Sequence, residues 1–416
     1  MLAAVSAQQV ASGAGSSGLP PGGVALIVVI GVIALAVLGG WVSWRFTTYV
    51  VGADTVRVDS GVLFRRTRQV RLDRVQTIEV VRPGVARVLG LAELRLETAG
   101  GEATAAPLAY LSERDALVLR AELLARSAGL GPATPEAPER VLHTVRVADL
   151  LVSRLLQLPF LVTLAVGVVL LVVAARVGLG ALAASALPAL AGLVWQVGHE
   201  MANSYGFTVA ASPDGLRLRH GLIETRAETV PPGRVQAVAL IEPWLWRRVR
   251  GWCRLEVNVA GRVGAGEGET TLLLPVARRE VALMVVSQVL PTLDLGAIPL
   301  APAPARARWV DPLAAPVLGL GADEHHVVTR TGRLQRVTVV VPHERIQSVR
   351  VRQGPLARRL GLATVAFDST PGPVHPAAPH RDAAEARAVW ESEVTVARTS
   401  RAHAVPARWM TAPPVS

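Results

Sequence analysis

The sequence predicts an α+β membrane protein: three repeated units, each a bent antiparallel β-sheet with a C-terminal helix, held by three transmembrane helices. Three observations carry this. Uncharged apolar runs reach membrane-spanning length, glycine, glutamine and arginine landmarks recur three times at nearly fixed spacing, and alternating segments around them run into a helical stretch. A length of 416 residues suits about three domains at roughly 150 residues each. The single cysteine, Cys253, excludes a disulfide framework and any zinc site built from several thiolates. All 43 basic residues are arginine, so part of the +11 charge reflects coding bias and says little about partners. A hydrophobic content of 51% and a mean hydropathy of +0.39 are high for a wholly soluble chain.

The first span is placed at 24–44. Val24 to Val42 is free of charge over 19 residues, about 28 Å of helix and close to the hydrocarbon thickness of a bilayer. Trp41, Trp44 and Tyr49 follow at headgroup level. Residues 1–23 carry no charge, which argues against a cleaved signal peptide and makes them an extracytoplasmic tail. Two further runs, 155–175 and 177–197, are too long and uniform for strands and read as a transmembrane hairpin. Arginine placement then orients the chain. Arg45, Arg57, Arg65 and Arg66 follow the first span, Arg140, Arg146 and Arg154 precede the hairpin, and Arg217 and Arg219 follow it, against only Arg176 in the turn. The expected topology is multi-pass in the cell membrane, with the N-terminus outside and the remaining units cytoplasmic.

The repeat is more specific. Gly61, Gly221 and Gly332 each close a short alternating stretch; Gln76, Gln236 and Gln347 follow 15 residues later within Arg-(Val/Ile)-Gln. An Arg-x-x-Gly comes next, as Arg87 to Gly90, Arg248 to Gly251 and Arg358 to Gly361, with glutamine-to-glycine distances of 14, 15 and 14. The first glycine suits a hairpin turn with positive φ, and alternation resumes after the second. A helix closes each unit: one after the N-cap Ser112, one over Val276 to Leu290, and one from about Asp382 to Glu391. The units are placed at 47–127, 203–291 and 307–395, with linkers at 128–149 and 292–306 and a disordered tail at 396–416.

These landmarks, beside paired membrane helices, resemble the bacterial pleckstrin-homology-like (PH-like) domain family of YdbS/YdbT-type membrane proteins. The resemblance implies seven strands and a C-terminal helix per unit, no catalysis and no cofactor, and a role in envelope integrity. It also implies another PH-like-domain membrane protein as a partner. Two departures stand out: a single N-terminal span in place of a hairpin, and a third unit without spans of its own.

Catalytic chemistry has little support. His199-Glu200 and His343-Glu344 begin like a zincin motif, but Asn203 and Gln347 stand where a second histidine is required, so no metal site is assigned. His325-His326 reads as a surface pair. Gly264-Ala-Gly266-Glu-Gly268 lacks phosphate-loop spacing and reads as a hairpin tip. The repeat glutamines and arginines read first as structural. A sharper signal is Trp244-Leu-Trp246-Arg247-Arg248-Val-Arg250-Gly-Trp252. Rings that partition to the headgroup zone, interleaved with guanidinium groups, fit contact with the lipid bilayer and anionic headgroups; filling the unit's core is the competing reading. The function expected is therefore a non-catalytic platform for protein or lipid interaction. An arginine-rich nucleic-acid binder is the alternative, disfavoured because the arginines are spread through all units and phenylalanine and tyrosine for base stacking are scarce.

Overall fold

The computed structural model describes residues 31, 48–52, 55–60, 66–71, 75–98, 108–127, 139–178, 180–212, 215–230, 233–259, 271–370 and 372–403. The expected span at 24–44, Gly61 and the 264–268 tip lie outside these residues, except for Gly31. Unit 1 comprises β1 (Thr48–Val51), β2 (Thr55–Ser60), β3 (Arg66–Arg71), β4 (Val75–Arg82), α1 (Gly84–Val88), β5 (Leu91–Thr98), β6 (Leu108–Ser112) and α2 (Glu113–Ser127). Unit 2 begins with β7 (Arg140–Thr144), α3 (Val147–Leu155), α4 (Leu158–Val177) and α5 (Gly180–Ser204). It continues through β8 (Thr208–Ser212), β9 (Gly215–His220), β10 (Thr225–Val230), β11 (Val235–Pro243), α6 (Trp244–Val249), β12 (Trp252–Val259), β13 (Thr271–Arg278) and α7 (Arg279–Val289). Unit 3 comprises β14 (Ala301–Pro302), β15 (Gly319–Ala322), β16 (His326–Thr331), β17 (Gln335–Pro342), β18 (Ser348–Arg352), α8 (Pro355–Arg359), β19 (Leu362–Asp368), β20 (Ala377–Asp382) and α9 (Ala383–His403).

Within each unit the chain makes a first sheet, then a second three-stranded sheet, then a helix. The sheets do not stop at unit boundaries. β6-β5-β4 of unit 1 joins β10-β9-β8-β7 of unit 2 in one seven-stranded sheet, and β13-β12-β11 joins β17-β16-β15-β14 in another. Both junctions are antiparallel and share one register. The residue four after the hairpin glycine faces the residue six after the repeat glutamine: Thr225 opposite Arg82, and Arg336 opposite Glu242. β1-β2-β3 and β18-β19-β20 remain as three-stranded sheets at the two ends.

Shared sheets bury both faces of the junction strands. Val238 and Leu240 of β11 enter the core of unit 2 beside Leu218, Leu255 and Val285, whereas Ala237, Ala239 and Ile241 enter that of unit 3 beside Val339, Val365 and Phe367. Side chains alternate across a strand, so a strand between two cores must be apolar at successive positions. That is what Val-Ala-Leu-Ile at 238–241 supplies. Cross-unit hydrogen bonds add to the apolar contact: Asn258 Nδ2 donates to the Val374 carbonyl at 2.8 Å, and Val374 N–H donates to Asn258 Oδ1 at 2.9 Å.

Several expected boundaries change. The 128–149 stretch contains β7, which pairs with β8, so the helical hairpin is an insertion after the first strand of unit 2. An insertion separates two strands that pair locally in space, and sequence alternation cannot reveal it. The 292–306 stretch likewise supplies β14. The last helix continues to His403 in place of a tail from 396, because Glu393 and Ala397 on it are buried in unit 3. Unit 1 has six strands among the described residues.

Three membrane crossings were expected. Among the described residues, one helix, Leu158–Val177, is long and apolar enough to cross a membrane, with a mean hydropathy of 2.8. Its side chains are largely uncovered by protein. α5 packs against it, where Gly167 accommodates Leu190, and carries Pro188 in its interior.

Candidate membrane-facing site and unit junctions

The root of the hairpin is built into unit 2. Val152 and Leu156 on one side and Met201 on the other pack against the unit's core. α3 is two-faced: Leu150, Ser153 and Arg154 are buried, while Val147, Leu151 and Leu155 form an exposed stripe at i, i+4 and i+8. The chain turns at Leu156 and Gln157 and enters α4 with Pro159 in the first turn, where a missing N–H costs little. Arg154 pairs with Glu200 near the end of α5 at 2.5 Å, locking the two ends of the hairpin together.

The tryptophans of the 244–252 segment divide between the two roles considered for them. Trp246 is buried: its Nε1 donates to the Ser153 carbonyl at 2.9 Å, and it meets Trp252 edge-on at 6.4 Å. Trp252 is buried as well, with Arg250 over its ring at 5.4 Å. The membrane-contact reading is therefore corrected for Trp246, because α6 is one short turn whose inner face lies over the core. Trp244 is 44% exposed, and Arg248 and Arg250 are also exposed. A cavity of about 480 Å³ opens beside them, lined among others by Arg154, Gln157, Pro159, Trp244, Arg254 and Leu334. Arg154 Nε is buried there with no hydrogen-bond partner among the described residues, while Arg254 Nε meets Glu256 Oε1 at 2.7 Å. Sequence reasoning used Arg154 only to orient the chain and Glu200 only to test a zincin motif, and it missed their pairing and Arg254; a charged residue directly before an apolar run was the available signal for the first.

Arg247 serves the junction. Its guanidinium donates to the Arg333 carbonyl at 2.9 Å, and Trp244 N–H donates to the Leu334 carbonyl at 2.6 Å. In the first junction Arg87 donates to the Leu222 carbonyl. Arg333 and Leu222 each directly follow the hairpin glycine of the next unit, and Arg247 and Arg87 each stand 11 residues after the repeat glutamine. The added residue in α6 is why the Arg-x-x-Gly count singles out Arg248, while Arg247 occupies the equivalent place.

The other landmarks are conformational. Gly90, Gly251 and Gly361 have φ of 70°, 62° and 62° and follow the one-turn helices α1, α6 and α8 as left-handed caps. Gly221 and Gly332 are more constrained: a Cβ would lie 1.8 Å from the Glu224 carbonyl oxygen and 2.1 Å from that of Gln335. Gln236 is buried and donates to the Arg234 carbonyl at 3.3 Å, whereas Gln347 is exposed. Gln76 lies in β4; Arg358 is exposed on α8.

The histidine motifs are absorbed into packing. His199 meets Asn203 at 3.1 Å within α5. His343 is buried, with Nδ1 2.5 Å from Glu393 Oε1 and Nε2 3.0 Å from the Asp323 carbonyl. Burial disfavours its charge, but the hydrogen bonds and the Glu393 carboxylate outweigh burial and hold its pKa above the ordinary value. His326, expected at the surface, is 2% exposed, because β16 directs it inward beside Asp323. Cys253 is buried, and desolvation pushes its thiol up to about 12.

Comparison with known proteins matches this architecture. The bacterial PH domain family matches residues 4–127, 154–291 and 281–393. The chain belongs to that family. It is also similar to the UPF0699 transmembrane protein YdbT of Bacillus subtilis (strain 168), at 35% identity over 77 residues, which covers 17% of this chain and 16% of YdbT. The PH-like repeats are thus the family's own module, here joined edge to edge.

Proposed function

We propose that this PH-domain chain is a non-catalytic, multi-pass membrane protein that holds its three units against the inner leaflet as an interaction platform. In this reading the spans at 24–44, α4 and α5 give three crossings, the N-terminus is outside and the PH-like units are cytoplasmic. The single observation that carries it is the exposed apolar stripe Val147, Leu151 and Leu155, directly before a span-length helix whose side chains protein leaves uncovered. A two-faced helix of this kind lies along the headgroup boundary. Exposed Trp195 and Trp244 supply rings that prefer the same depth. Arg248 and Arg250 supply positive charge, worth on the order of 1 kcal/mol each near an anionic surface. The name of YdbT, a transmembrane protein, agrees with this.

The experiment uses the full chain in nanodiscs containing brominated phosphatidylglycerol or brominated phosphatidylcholine. Tryptophan emission is expected to be quenched, with Trp244→Phe removing part of the quenching in phosphatidylglycerol. Equal quenching of wild type and Trp244→Phe would overturn the lipid contact at that residue. A reporter fused at the C-terminus is expected to be active in the cytoplasm; periplasmic activity would overturn the topology.

A further inference from the structure

The two ends of the array expose the same kinds of strand edge that pair inside it. Among the described residues, β18 pairs only with β19, and β3 only with β2. β18 is the equivalent of β4 and β11, each of which accepts the edge strand of the following unit. The second element of a junction is present too. Arg358 stands 11 residues after Gln347, the place from which Arg87 and Arg247 donate to the next unit. Its guanidinium is exposed and has no hydrogen bond or ion pair among the described residues. The C-terminal end is therefore a complete half-junction.

Topology alone would let β3 of a second copy dock there and extend the array head to tail. Charge opposes it. Carrying the shared register over places Arg66 opposite Arg352, Thr67 opposite Val351 and Arg68 opposite Arg350. Like charges directly opposite are destabilising, and the Arg66–Arg352 pair carries most of the effect, because Asp368 already pairs with Arg350. In the second internal junction the same alternate positions are Val337 opposite Ile241 and Val339 opposite Ala239. Arginines on edge strands are a recognised block to unwanted sheet extension.

We propose that the outer edge of β18, with Arg358, docks the edge strand of a PH-like sheet from a different chain, one carrying a carboxylate opposite Arg352. Arg352, set opposite Arg66, excludes the chain's own β3. Continuity with the internal junctions supplies the geometry, and charge selects the partner. One backbone group of the edge is already engaged: Trp390 Nε1 donates to the Val349 carbonyl at 3.0 Å. Phe367 N–H donates to the Pro376 carbonyl, away from β18, so the Val349 carbonyl opposite Phe367 points outward. The docking strand takes that carbonyl from Trp390. The site rests on junction geometry alone and holds whether or not the α3 stripe meets lipid.

The test uses the full chain in detergent, with its own β3 converted into the acidic probe. Arg66→Glu with Arg68→Glu is expected to drive head-to-tail oligomers, read as mass against concentration, at about tenfold lower concentration than wild type. Arg352→Glu alone, which sets a carboxylate opposite Arg66, is expected to associate as well. Combining the reversals at both ends is expected to return the wild-type mass. Arg358→Ala is expected to weaken the association and Trp390→Phe to strengthen it. A Thr67→Cys, Val351→Cys pair is expected to cross-link between chains in the charge-reversed background and not otherwise. Wild-type mass in both single-end variants would overturn the docking edge. Cross-linking through positions 67 and 351 without charge reversal would overturn the charge block.

Discussion

His343 and Glu393 form a buried hydrogen-bonded contact between the short 3-10 turn after β17 and the last helix. Both imidazole nitrogens face acceptors, the Glu393 carboxylate and the Asp323 carbonyl, which favours the protonated ring. A histidine whose folded pKa is raised contributes stability that is complete below its unfolded value of about 6.5 and lost as pH rises through the folded value. His343→Gln is therefore expected to destabilise unit 3 by on the order of 3 kcal/mol at pH 6, with the gap to wild type narrowing as pH rises. Thermal unfolding of both proteins across pH 5.5–9 (roughly the titration window) measures it; a gap that widens with pH would refute it. The repeat glycines offer a second residue-scale prediction. Gly221→Ala and Gly332→Ala meet a carbonyl oxygen as well as an unfavourable φ, whereas Gly90→Ala and Gly251→Ala meet only the latter. The first pair is expected to cost more than the second, whose penalty is about 1–2 kcal/mol, as read from denaturant midpoints.

At the scale of elements, the one-turn helices α1 and α6 act as clasps as well as strand connectors. Arg87 and Arg247 each reach the carbonyl that follows the next unit's hairpin glycine. A charged donor on a neutral carbonyl contributes about 1.5–3 kcal/mol, less where solvent competes. Arg247→Ala is thus expected to lower the cooperativity between units 2 and 3, read as a broader or split unfolding transition, while exposed Arg248→Ala leaves it unchanged. Trp246→Phe removes the indole N–H that meets the Ser153 carbonyl and is expected to loosen the hairpin root, read as faster proteolysis after Arg154.

These elements also show where sequence was informative. Gly221 and Gly332 announced their turns because positive φ restricts residue choice strongly. The helix α4, Leu158–Val177, was legible as the expected run 155–175 because lipid tolerates so few polar groups. Trp246 was not separable from Trp244, because a single helical turn has no periodicity to say which face is inward. His343 and Glu393 lie 50 residues apart, and β7 is split from β8 by the inserted hairpin; contacts set by the tertiary fold leave no local pattern.

Over the whole molecule, membership in the bacterial PH domain family explains the units, and the shared register explains how they are joined. The uniform apolar content of Val238 to Ile241 had a cause outside its own unit, namely a second core on its far face. Such coupling makes the three units one continuous body, joined to α4 and α5 through unit 2. The edge-to-edge sheet is tested most directly by amide hydrogen exchange on the full chain in detergent. Backbone groups of β11 hydrogen-bond on both sides, to β12 and β17, while β18 has no strand on its outer side among the described residues. Amides across Val238–Ile241 are expected to exchange about a hundredfold or more slower than the outward-facing amides of β18. Alternating fast exchange along β11 and β17, the mark of two separate edges, would contradict the shared sheet.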